Sequence, residues 1–150
     1  MKKTFPFFIL LIGLFTPAFG QDKYDEELAK KYQADDYGMR KYVMAFLKSG
    51  PDVEHYSEEE RAKIQQGHME HIGKMATEKK LVLAGPFFGE GTLRGIFIFD
   101  VADINEAEKL TAEDPAVKAG VLKMELVEWY GSAALMAIPE IHEKIQKIDF

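Results

Sequence analysis

The chain has no cysteine among its 150 residues. That excludes disulfide scaffolds, thiolate zinc ribbons, iron–sulfur clusters and thiol catalysis. Basic residues are in deficit: 19 Lys and Arg face 25 Asp and Glu, a formal net charge of −6. A surface of that sign repels phosphate backbones, so no nucleic-acid partner is expected. Glycine and proline are scattered, 12 and 6 in number, which excludes collagen-like and low-complexity chains. Phosphate loops, dinucleotide fingerprints, Gly-x-Ser-x-Gly elbows and His-Glu-x-x-His helices are missing. No apolar run reaches the roughly 20 residues of a comfortable membrane span. With 47% hydrophobic and 29% charged residues, the composition is that of one globular domain.

The first twenty residues stand apart. Lys2 and Lys3 precede a short apolar run from Phe7 to Phe15, and Ala18 and Gly20 put small residues just before Gln21. That is the three-part layout of a secretory signal peptide over residues 1–20, cleaved after Gly20. The expected location is periplasmic or secreted. Residues 21–38 are a polar leader, 39–131 the main domain, and 132–150 a C-terminal helical extension.

Within the main domain, 41–47 and 95–101 are apolar on both alternating faces, as central strands are. A short strand falls at 81–84, broken by Gly85-Pro86, and 121–130 alternates like an outer strand. Ser57 and Glu60 form a capping-box signature for a helix running to about Thr77. Steps of 100° gather Ala62, Ile64, His68, Met69, Ile72, Met75 and Ala76 on its apolar face, with His71 at the edge. A second helix spans 105–113, and a last one 138–148. The order is β-α-β-β-α-β, the split βαβ or ferredoxin-like pattern of an α+β fold. Two helices cover one sheet face. The other face calls for cover as well, and a second copy packing sheet to sheet supplies it. The competing arrangement folds the C-terminal helix back over that face.

Two residues carry candidate chemistry. His68 sits inside the apolar helix face. Asp114, followed by Pro115, reads first as a helix N-cap. In a split βαβ fold the two helices lie side by side, so this cap can approach the middle of the first helix. A carboxylate there would orient the imidazole for general acid–base work. Histidines at 68 and 71 also have the i, i+3 spacing of a metal pair, but a site needs a third ligand. No metal and no cofactor are expected.

The stretch from His68 through Ala84-Gly85-Pro86, followed by Ile96 to Asp100 and Asp114-Pro115-Ala116-Val117-Lys118-Ala119-Gly120, resembles the YCII-related (YciI-like) family over about residues 40–131. The resemblance implies a dimeric α+β barrel and a site built on a His–Asp pair, carried here by His68 and Asp114. It gives His71 no role. Related activities on this architecture are proton transfers on small cyclic molecules. The leading expectation is therefore a small-molecule enzyme of lyase, dehalogenase-like or isomerase type. Its pocket would be lined by Phe46, His71, Met75 and Phe97, with Phe87 and Phe88 at the rim. The alternative is a non-catalytic small-ligand-binding protein of the cell envelope, with His68 supplying one hydrogen bond. Either way the expected partners are a small molecule and a second copy of the chain.

Overall fold

The computed structural model describes residues 24–148. The segment read as a signal peptide lies outside them. Helix α1 (Glu26–Lys31) opens on Asp25, whose carboxylate caps the backbone N–H of Leu28. Strand β1 (Met39–Ser49) follows. Helix α2 (Glu58–Thr77) starts on the capping box, with Ser57 and Glu60 bonded in both directions. Then come strands β2 (Leu81–Pro86) and β3 (Leu93–Phe99), and helices α3 (Ile104–Ala112) and α4 (Pro115–Lys118). Strand β4 (Leu122–Ser132), a 3-10 turn at Ala133–Ala137 and helix α5 (Ile138–Ile145) complete the described chain.

The four strands form one antiparallel sheet in the order β2-β3-β1-β4. The two runs apolar on both faces are thus the central strands, and the alternating run is an edge. This is the expected ferredoxin-like α+β topology. Val43, Ala45, Leu47, Phe97 and Phe99 form the core together with Met75 of α2 and Ala107 of α3. Side chains alternate along a strand, so Tyr42, Met44 and Phe46 face the opposite way.

Three expectations need correction. Strand β2 does not stop before Gly85-Pro86 but continues through them, in register with Ile96 and Gly95. As an edge strand it tolerates a residue without an N–H. Gly95 permits the close pairing, since a Cβ there would lie 2.6 Å from the carbonyl oxygen of Gly85. The buried stripe of α2 is also rotated from the expected arc. His68, His71 and Met75 are buried, whereas Ala62 and Ala76 are exposed. His71 moves inward because α3 offers it a polar partner. Lastly, the second sheet face is not bare within one chain. Leu135 and Met136, from the 3-10 turn after β4, pack on Tyr42, Val82 and Ile98. That turn covers one end of the face, while α5 buries none of its residues. Among the described residues, no helix is long and apolar enough to cross a membrane.

Candidate functional site

Asp114 ends the turn after α3 and begins α4. Its side chain caps α4 by accepting the N–H of Ala116 at 2.8 Å through Oδ1. Pro115 sits in the first helical position, where its missing N–H costs nothing. The second oxygen, Oδ2, lies 2.7 Å from Nδ1 of His68. Asp114 is 0% exposed and His68 6%. A carboxylate only accepts, so Nδ1 carries the hydrogen and donates it. That leaves Nε2 as the lone-pair nitrogen. Among the described residues it takes no partner, yet no buried side-chain nitrogen or oxygen there is left unpartnered. Nε2 therefore opens to solvent. The imidazole stacks on Phe97, with ring centroids 5.9 Å apart and planes inclined by 20°. Phe97 in turn meets Phe99 edge-on at 5.7 Å. The apolar wall fixes the plane of the imidazole, and the carboxylate fixes its tautomer.

Other candidate residues fall in different places. Met75 is buried in the core a turn beyond His71. His71 turns its Nε2 to the carbonyl oxygen of Leu110, at 2.9 Å. An oxygen of that kind only accepts, so Nε2 of His71 carries the hydrogen. Phe46 occupies the sheet face away from His68, beside Ile96 in register. Phe87 and Phe88, in the β2–β3 hairpin, are exposed. The structure thus brings His68, Asp114 and Phe97 together and leaves Phe46 behind the sheet. The partner of His71 was not readable from side-chain types, because a backbone carbonyl has no signature in sequence.

Two cavities lie elsewhere, with neither His68 nor Asp114 in their linings. One, of about 460 Å³, lies between α3, α4 and β4 and is lined by Ile104, Thr111, Val117, Met124 and Leu126. The other, of about 610 Å³, lies between α1 and the 3-10 turn, beside Tyr24, Tyr32 and Tyr37. Among the described residues, no three His, Asp or Glu side chains converge as a metal site would require.

The YCII-related domain matches residues 41–130. An uncharacterized protein, YjpA, of Bacillus subtilis (strain 168) is 29% identical over 63 residues, which span 42% of this chain and 72% of that protein. A solved structure of 5-chloro-2-hydroxyhydroquinone dehydrochlorinase (TftG) from Burkholderia phenoliruptrix AC1100, in complex with 2,5-dihydroxybenzoquinone, aligns over 60% of this chain and 93% of its own, with a TM-score of 0.45 and 15% identity.

Proposed function

Because the chain belongs to the YCII-related domain family, we propose that it is an enzyme that moves a proton on a small molecule, with His68 as base and acid and Asp114 as its orienting partner. One observation carries the reading. A buried carboxylate holds Nδ1 of His68 at 2.7 Å, and the ring's other nitrogen takes no partner among the described residues. Nε2 takes a proton from carbon or oxygen of the bound molecule. The electron pair left behind shifts a double bond, with the proton returned to a new atom, or expels an anionic leaving group. The first outcome is isomerisation, the second elimination. A positioned imidazole contributes about 10²–10⁴-fold to such steps.

The test is a thermal-shift screen of small cyclic metabolites on wild type and His68→Gln, with product analysis for each stabilising compound. Gln keeps a donor toward Asp114 but cannot shuttle a proton. Turnover by wild type and its loss by about 10²-fold or more in the variant is the expected result. Equal turnover in both overturns it. A compound that stabilises the protein and is never converted supports a ligand-binding envelope protein instead.

The working unit in this reading is a homodimer joined through the second sheet face. Met44, Phe46 and Ile96 are half-buried there and Val127 is 41% exposed, an apolar strip suited to a second copy. Sedimentation should give a dimer for wild type and a monomer for Val127→Glu; a monomeric wild type overturns this part. The protein acts outside the cytoplasm, on the strength of the basic, apolar and small-residue layout of residues 1–20. Mass spectrometry of the exported chain should find Gln21 at its start.

A further inference from the structure

His68 is flanked on α2 by two residues that meet the segments on either side of Asp114. One residue before it, Gly67 faces Pro115. A Cβ at Gly67 would stand 3.0 Å from Cγ and 3.2 Å from Cβ of that ring. Three residues after it, His71 holds the carbonyl oxygen of Leu110 at 2.9 Å. Leu110 belongs to the last turn of α3, where its carbonyl also accepts the N–H of Glu113, and the N–H of Asp114 bonds to Thr111. The short link carrying Asp114 is therefore gripped from both ends by the helix that carries His68.

We propose that Gly67 and His71 are positioning residues for the His68–Asp114 pair, a role that rests on the acid–base reading above. Gly67 lets α4 approach α2 closely. A methyl group there must push the proline ring outward by a few tenths of an ångström. The fixed φ of Pro115 limits how far its backbone can turn aside. Much of the push passes to its chain neighbours, Asp114 and Ala116. Both are buried, and they are joined to each other through the 2.8 Å cap. The contact with slack to lose is the one across the helices, at Oδ2 and Nδ1. His71 acts in the opposite sense. It pulls the end of α3 toward α2 and so sets the height at which Asp114 meets the imidazole. A glycine inside a helix is less favourable than alanine, so Gly67 stands against local propensity. The close approach to Pro115 accounts for it.

The experiment follows the Nδ1–H resonance of His68 in ¹⁵N-labelled protein, with urea denaturation run alongside. In wild type this proton, held by a buried carboxylate, should resonate far downfield and exchange slowly. Gly67→Ala should shift it upfield and speed its exchange about tenfold or more. Pro115→Ala in the same chain removes the ring carbon in the way and should restore much of the signal. His71→Leu should lose the resonance. His71→Gln, which keeps a donor able to reach the carbonyl, should keep it. A merely structural role would lower the urea midpoint of Gly67→Ala and His71→Leu yet leave the resonance of the folded molecules as in wild type. That outcome overturns the proposal and leaves the His68–Asp114 reading standing. A wild type without the downfield proton takes down both. Turnover that survives His68→Gln, with the resonance pattern as expected, takes down only the catalytic reading.

Discussion

Asp114 and Asp35 each organise a turn by accepting hydrogen bonds from the backbone, one in the interior and the other at the surface. Asp35 accepts the N–H groups of Tyr37 at 2.9 Å and Met39 at 3.0 Å, and the hydroxyl of Tyr130 as well. These bonds pin the polar leader to the edge strand β4. Asp114 accepts from Ala116 and from His68. The local chemistry is alike, but the partners differ in what they have left. Tyr130 spends its single hydroxyl proton on Asp35, and nothing reactive remains. His68 spends one nitrogen on Asp114 and presents the other. The first arrangement is a fastening. The second transmits the carboxylate's orientation through a ring to a free lone pair, which is why the candidate chemistry belongs there.

The largest expected effect separates the two aspartates by stability. Asp114→Ala removes a helix cap, at about 1 kcal/mol, and leaves a buried imidazole nitrogen without its acceptor, at about 1–3 kcal/mol. Urea denaturation should show a loss of about 2–4 kcal/mol. An unchanged midpoint would erase the distinction between the two sites. Asp114→Asn should cost less, about 1–2 kcal/mol, because its amide oxygen still caps Ala116. Its NH₂ group then faces Nδ1 and forces the hydrogen of His68 onto Nε2. Imidazole ¹⁵N shifts should report that inverted tautomer, and turnover should fall with it. Asp35→Ala should act locally by comparison. Hydrogen exchange at the amides of Tyr37 and Met39 should quicken, while β3 and the rest of β1 beyond Met39 keep their protection. Faster exchange throughout the sheet would mean that the leader supports the domain as a whole.

Much of the architecture is legible in the sequence. Apolar runs without alternation identified β1 and β3 as central, and Ser57 with Glu60 marked the start of α2. Asp114-Pro115 marked the start of α4, and side-by-side helices made its approach to His68 an expectation from topology. What escaped has physical reasons. A run apolar on both faces does not say which side chains point toward the helices, so sequence alone groups Phe46 with Phe97. The 3-10 turn at Ala133–Ala137 is too short to show a period, so its cover over Tyr42 and Ile98 has no signature in sequence. The burial of His71 depends on the carbonyl of Leu110, which every residue type supplies equally. Gly67 did carry a signal, a glycine within a helix directly before the key histidine, but its meaning depends on Pro115 in space.

The smallest expected effect concerns pH and the surface aspartate. The Tyr130 hydroxyl, before the N–H groups of the turn, holds Asp35 below its ordinary value of 3.8. A carboxylate lowered on folding stabilises the folded form in full above that ordinary value. The contribution is lost as pH falls through the lower folded value. Tyr130 is affected in the opposite direction, raised above its ordinary 10.0 chiefly by the same hydrogen bond. Its contribution is complete below that pH and is lost as pH rises through the folded value. The fastening should therefore hold between about pH 4 and 10 and loosen on both sides. Trp129 is the chain's single tryptophan and lies against Tyr42 at 5.8 Å, next to Tyr130 in sequence. Its fluorescence is a local probe of this corner. Tyr130→Phe removes the donor and keeps the ring. Asp35 should then return toward 3.8, so the acid transition of the fluorescence moves to higher pH, and the alkaline transition should disappear. An unchanged acid transition would show that the backbone N–H groups of Tyr37 and Met39 hold Asp35 by themselves, and an unchanged alkaline one that Tyr130 is not the group titrating there.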